Sequence, residues 1–238
     1  MNLFFRFSRG VDVLAMVLGL ALGLFSSDSW GAEVRIDLQW AICQANVESL
    51  VSHLGGEGPA KQSQVTYFET ESIDYLRRGI SFNLKSKKDS IETSVKVRFS
   101  SARDFDGDCE WDRYGQKERY SCDFSEKDRS ADSPWSKKQI AFAEKVEKID
   151  WKRLKAFGPY PSKAWKGELA GYRVSLDRVD AGSGVSPLIE LSAKVDYSER
   201  ERAYSEISAE LVAQKVKLCE HQESKAFRLF RALGLWVD

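Results

Sequence analysis

Charge and apolarity alternate residue by residue in at least five separate stretches of this chain, and that pattern restricts the fold more than any other feature. In Glu33–Trp40, Val34, Ile36, Leu38 and Trp40 point one way and Glu33, Arg35, Asp37 and Gln39 the other. Ile80–Lys85 sets Phe82 and Leu84 against Ser81, Asn83 and Lys85, and Thr93–Phe99 sets Val95, Val97 and Phe99 against Lys96 and Arg98. Tyr172–Val179 and Leu188–Val195 repeat the theme with Arg173, Ser175, Asp177 and with Glu190, Ser192, Lys194 on the polar face. Period-two alternation predicts strands with one apolar face. Two architectures satisfy it. One is an open antiparallel sheet with helices on its apolar face and water on the other. The other is a barrel turned inside out, with helices over an apolar exterior and the charged faces lining a tunnel.

The strongest local signal is Cys109–Cys122. Folded about Gly115-Gln116, it sets Cys109 opposite Cys122, Trp111 opposite Tyr120, Asp112 opposite Arg119 and Arg113 opposite Glu118. Each non-covalent pair is worth roughly 0.2–1 kcal/mol across a hairpin, and glycine first in a two-residue loop suits a II′ turn. A disulfide Cys109–Cys122 is expected, which leaves Cys43 and Cys219 as candidates for a second bridge. No C-x-x-C pair occurs among the 4 cysteines, so a thioredoxin-type site or a zinc ribbon is disfavoured.

The remaining segments predict a short strand Val65–Phe68 after a polar loop 57–64. Helices are expected over Ala41–Leu54, stopped by Gly55-Gly56, over Pro134–Phe157, stopped by Gly158-Pro159, from Ser198 to about Cys219, and over Ser224–Leu233. At the start, Arg6 and Arg9 precede an uncharged apolar run, Leu14–Phe25, and a small, polar stretch. That order predicts a signal peptide over residues 1–31. The run is short for a bilayer span of roughly 20 residues, which argues against an uncleaved anchor. Residues 32–238 then form one domain, expected in the periplasm or secreted, where paired cysteines are at home. Equal numbers of basic and acidic residues, 36 of each, argue against a nucleic-acid binder driven by a positive field.

Tyr67-Phe68-Glu69-Thr70, Leu76 and Arg78-Gly79-Ile80-Ser81-Phe82-Asn83-Leu84-Lys85 resemble the signature of the CYTH family, the triphosphate tunnel enzymes. Leu176-Asp177-Arg178-Val179, Gly182-Ser183-Gly184, Ile189-Glu190-Leu191 and Ser224-Lys225-Ala226 are similar to its closing strands and terminal serine-lysine. The order agrees from Glu33 to Leu233. The resemblance implies an α+β fold, an antiparallel β-barrel tunnel with flanking helices and a helical insertion near 134–157. It also implies a polyanionic small ligand held with Mg²⁺ or Mn²⁺. Lys85, Lys96, Arg98, Arg173 and Lys225 are the implied anion-binding residues, and Asp37, Asp177 and Glu190 the implied metal ligands.

The sequence departs from the family pattern in its acidic half. The opening Glu-x-Glu-x-Lys is matched by no register of Glu33, Arg35, Asp37 and Gln39; Asn83 replaces a basic residue; the closing Glu-x-Glu is Glu190-x-Ser192. Fewer charged oxygens hold a hard cation more weakly. Two functions stay open: a metal-dependent phosphoanhydride hydrolase, or a barrel without catalysis that binds a ligand or a protein. Asp104-Phe105-Asp106-Gly107-Asp108 lacks the glycine and glutamate of a calcium loop and reads as an Asp-Gly turn. With His53 and His221 as its 2 histidines, the chain has little material for zinc or triad chemistry. No phosphate-cradling glycine loop leads into Lys-Ser or Lys-Thr.

Overall fold

The computed structural model describes residues 34–44, 47–55, 59–130, 134–182 and 184–236. The expected signal peptide, Gly56 and Ser183 lie outside the described residues. Nine strands form one closed barrel: β1 Arg35–Ile42, β2 Lys61–Glu69, β3 Ile80–Lys87, β4 Ser90–Phe99, β5 Asp108–Tyr114, β6 Lys117–Lys127, β7 Lys155–Leu169, β8 Tyr172–Val179 and β9 Leu188–Asp196. Round the barrel the order is β1-β5-β6-β4-β3-β2-β7-β8-β9. Every neighbouring pair is antiparallel except β1 with β5, which run parallel.

The alternating strands close with their apolar faces outward. Ile36, Leu38, Trp40 and Ile42 of β1 are fully buried, among Leu176, Leu191 and the helical residues Ala203, Ile207 and Leu211. Burying each large side chain is worth roughly 1.5–3 kcal/mol. A one-residue slip of β1 would turn all four into the charged lumen, so its register is fixed. The helices α1 Glu48–His53, α2 Asp74–Arg77, α3 Lys137–Glu144 and α4 Arg200–Ala213 cover this exterior in separate patches.

The last helix, α5 Lys225–Ala232, behaves differently. Val179 and Leu188 have the parity of the lumen-facing Asp177 and Glu190, yet they are apolar. They bury against Ala226, Leu229 and Phe230 together with Val65 and Tyr67. Phe230 also meets the Phe157 ring edge-on at 5.0 Å. α5 therefore closes one end of the tunnel, and among the described residues the other end stays open.

Both disulfides are present, Cys109–Cys122 and Cys43–Cys219. The hairpin has the expected register, with Cys109 opposite Cys122 and Trp111 opposite Tyr120, and Gly115 takes φ +59°. Four expectations need correction. The segment 134–157 is not one helix: α3 ends at Glu144, and Phe157 belongs to β7, which continues to Leu169. Phe157 packs from β7, and Leu154 from the position just before that strand, rather than from a helix. Residues 41 and 42 extend β1, so α1 starts only at Glu48. β2 begins at Lys61, inside the expected loop. The helix after Ser198 stops at Ala213, and Leu218 bridges Ile42 instead, with Cys43 N–H bonded to Lys217 C=O at 2.8 Å and Cys219 N–H to Ala41 C=O at 2.9 Å. Backbone pairing with the end of β1 competes with further helix and prevails.

Candidate functional site: a tunnel mouth with an acidic and a basic wall

Residues of alternate parity on β1, β5 and β6 turn inward at the open end. Asp37, Glu110 and Asp112 bring carboxylate oxygens within 4.8 Å of one another. Asp112 is fully buried; it accepts from Ser121 Oγ at 2.6 Å and Lys96 Nζ at 3.3 Å, with Arg98 Nε 3.9 Å away. Both oxygens of Glu110 accept from Lys194 Nζ at 2.7 Å. Asp37 is the under-compensated member. Its Oδ2 accepts from Gln39 Nε2 at 3.1 Å, but its Oδ1 is buried with no partner. Burial, reinforced by the charges of Asp112 and Glu110, pushes its carboxyl up to about 7. An orphaned anionic oxygen beside two further carboxylates matches the donor set of a hard divalent cation. These three residues are compatible with a divalent metal ion.

The strands β7, β8, β9 and the start of β1 build the adjacent wall. Arg35, Lys166, Arg173 and Lys194 line a groove of about 510 Å³ with Ser175 and Ser192, and no carboxylate lines it. Lys194 is held by Glu110; Arg35, Lys166 and Arg173 make no ion pair with a described residue. On the acidic side, Asp37, Asp108, Glu110 and Asp123 border a pocket of about 520 Å³ that Lys194 also lines. Lys194 thus stands between the two walls. One mouth presents cation-binding and anion-binding surfaces side by side.

Deeper in, a cavity of about 250 Å³ has Asp37, Lys96, Arg98, Asp177, Glu190 and Lys225 in its lining. Lys225, at the start of α5, reaches Asp177 at 2.7 Å and Glu190 at 2.9 Å. Burial alone would lower its affinity for a proton, but the two carboxylates and Tyr67 more than offset that and hold it well above the usual lysine range. Burial raises the Asp177 carboxyl, and the charges of Lys225 and Lys85 outweigh it, so the net displacement is downward. Burial likewise lifts the Tyr67 hydroxyl to about 12.

The expected site residues therefore separate into groups. Lys96 and Arg98 are on the lumen face but occupied by Asp112. Lys225 is there too, committed to Asp177 and Glu190. Arg173 lines the open basic groove. Lys85 has lumen parity, opposite Val65 and Glu92, and makes no ion pair with a described residue. Of the expected ligands, Asp37 joins Glu110 and Asp112, whereas Asp177 and Glu190 stay with Lys225. Sequence reasoning missed Glu110, Asp112, Arg35 and Lys166 as site residues. The run Asp108, Glu110, Asp112 on one face of β5 was the available signal for the first two.

Glu69, in the tetrapeptide that resembles the family signature, organises the fold. It is buried, accepting from the Leu76 and Thr70 N–H groups, and Thr70 Oγ1 donates to Asp74 at 2.9 Å. These bonds shape the turn into α2. The Asp104–Asp108 run is a turn, with Gly107 at φ +89° and Asp106 paired to Lys145.

No protein-family model matches the sequence, and no curated protein matches it. Solved structures do. A proposed adenylate cyclase from Bacillus halodurans superposes with a TM-score of 0.59 at 16% identity, covering 83% of this chain and 98% of that one. A proposed adenylyl cyclase from Hippeastrum, described as having a dominant triphosphatase activity, gives a TM-score of 0.55 at 12% identity, covering 82% and 94%. This likeness shows the fold: a CYTH-like β-tunnel with flanking helices.

Proposed function

We propose that this protein binds a phosphate-rich or other polyanionic small molecule in the open half of its tunnel, outside the cytoplasm. Arg35, Lys166 and Arg173 would neutralise the anion. Asp37, Glu110 and Asp112 would hold Mg²⁺ or Mn²⁺ beside it. The observation that carries this reading is the juxtaposition, at one mouth, of three cations without an ion pair among the described residues and a carboxylate trio whose member Asp37 is under-compensated. A metal there supplies charge neutralisation and polarises a phosphoryl oxygen. The chain's own cations orient the anion, with arginines suited to bidentate contacts. Export is supported by the two disulfides and by the basic-apolar-small order of residues 1–31.

A binding module without catalysis is the second reading, and a specific observation favours it. Lys96, Arg98 and Lys225 are spent on wall carboxylates, so the inner lumen neutralises itself. Fewer cations remain to follow the charge that builds up on a phosphoryl group in transfer. The triphosphatase described for the Hippeastrum neighbour makes phosphoanhydride hydrolysis the activity to assay.

Calorimetry with tripolyphosphate, with and without Mg²⁺, tests both. Binding strengthened by Mg²⁺, and weakened roughly tenfold or more in Lys166→Ala/Arg173→Ala, is expected. Phosphate release in the same samples selects the hydrolase, and binding without release selects the module. Absence of binding in either condition would overturn the proposal.

A further inference from the structure

At the end of the barrel that α5 closes, Arg98, Tyr114 and Ser224 line the lumen cavity on one side and an outer pocket of about 410 Å³ on the other. Arg78, Lys117 and Arg119 line the outer part of that pocket. Two polar atoms in its wall are buried with no hydrogen-bond partner: Arg98 Nε, which faces Asp112 Oδ2 at 3.9 Å, and Ser224 Oγ. Ser224 is only 8% exposed. Leaving a buried donor without an acceptor is costly, and the usual explanation is a missing partner.

Ser224 is the N-cap of α5, a position whose side chain ordinarily accepts from the first turn of the helix. Here its side chain makes no such bond. The first intrahelical bond runs from Arg228 N–H to Ser224 C=O at 3.1 Å. The preceding N–H groups, on Lys225, Ala226 and Phe227, are therefore the orphan donors of a helix start, at the positive end of its dipole. The nearby carboxylates are already engaged. Asp112 takes Ser121 and Lys96, and Glu223 takes Arg231 at 2.6 Å. Arg78 is partly satisfied by Glu147 at 2.7 Å, but Lys117 makes no ion pair with a described residue and Arg119 donates only to the Glu118 carbonyl.

We propose that this pocket is a second anion site, which takes one tetrahedral oxyanion, a phosphate or sulfate group, on Ser224 Oγ and the α5 start, with Lys117 and Arg119 at its rim. Helix starts with convergent donors bind such groups without a metal. The site lies outside the lumen, on the side that α5 covers, and does not depend on the function proposed for the open mouth.

Inorganic phosphate and sodium sulfate, titrated separately into ¹⁵N-labelled protein in EDTA, test it. Saturable shifts of the Ala226 and Phe227 amides are expected. Lys117→Ala/Arg119→Ala, both on exposed side chains, should weaken the response roughly tenfold or more. Ser224→Ala should weaken it as well, with the rest of the spectrum unchanged. A response to phosphate alone assigns a phosphoryl group, to sulfate alone a sulfuryl group, and to both a general oxyanion site. The proposal is overturned if neither anion moves those amides, if both variants respond like the parent protein, or if the shifts centre on Arg173 and Lys194.

Discussion

Asp37 shows how a single side chain can link pH, metal and stability. Its carboxyl is pushed up to about 7 in the folded protein, from 3.8 for a free aspartate, because burial and then the charges of Asp112 and Glu110 disfavour the anion. A folded pKa above the unfolded one means that the native state binds the extra proton. Stability from this group is then greatest below about pH 4 and is lost as pH rises through the window from about 4 to 7. The loss is at most about 4 kcal/mol, at roughly 1.4 kcal/mol per unit. In EDTA, the melting temperature of Asp37→Asn should exceed that of the parent protein at pH 8, and the two should converge near pH 4. Mg²⁺ should raise the parent's melting temperature at pH 8 and leave Asp37→Asn unmoved. Parallel curves for the two proteins across this range would show that Asp37 ionises at no cost. Asp37 was named from the sequence as a candidate ligand; the carboxylates that the fold brings beside it, Glu110 and Asp112, were not. The hairpin pattern assigned Asp112 to Arg119, and the register does place them opposite. Barrel closure decides otherwise, because it brings β1 and β4 residues to Asp112 from either side.

The elements that the sequence disclosed are those whose period is unbroken. β8 runs Tyr172–Val179 as expected, and β9 and β3 differ by one and two residues at their ends. β7 escaped notice because Gly158, Pro159 and Pro161 interrupt its pattern; the Gly158-Pro159 bond is cis, and the pairing with β2 shifts register between Val65 and Tyr67. The same glycine and proline that look like a helix stop are the irregular start of a strand. α5 was visible as a helix, but its place in the tunnel was not, since Lys225 reads equally as an anion ligand. In the structure Lys225 fastens α5 to the wall through Asp177 and Glu190. Removing one partner of this partly buried ionic cluster leaves the others uncompensated, at a cost below the roughly 3–5 kcal/mol of a fully buried pair. Lys225→Met should therefore lower the urea midpoint strongly. Lys225→Met/Asp177→Asn/Glu190→Gln should recover most of that loss. A midpoint for Lys225→Met within error of the parent would show that the cluster does not anchor α5.

Alternation alone does not distinguish an open sheet from a closed tunnel, because both hide one face of each strand. Closure depends on β1, which pairs with β9 on one side and, in parallel, with β5 on the other. Those contacts join residues far apart in sequence and leave no local trace; the resemblance to a tunnel family, rather than periodicity, pointed to the barrel. The Cys43–Cys219 bridge secures the same seam. It spans 176 residues, against 13 for Cys109–Cys122. A cross-link stabilises mainly by restricting the unfolded chain, about 5 kcal/mol for the longer loop and about 3 kcal/mol for the shorter. The longer bridge also holds the segment from Lys217 to Cys219 against the end of β1, just before the chain turns into α5. Cys43→Ser/Cys219→Ser should consequently lower the melting temperature more than Cys109→Ser/Cys122→Ser, and should loosen α5. In the parent protein, alkylation without reduction should add no mass. If the hairpin variant proves the less stable, local strand pairing rather than the seam limits unfolding, and α5 is held by its own packing against the lumen.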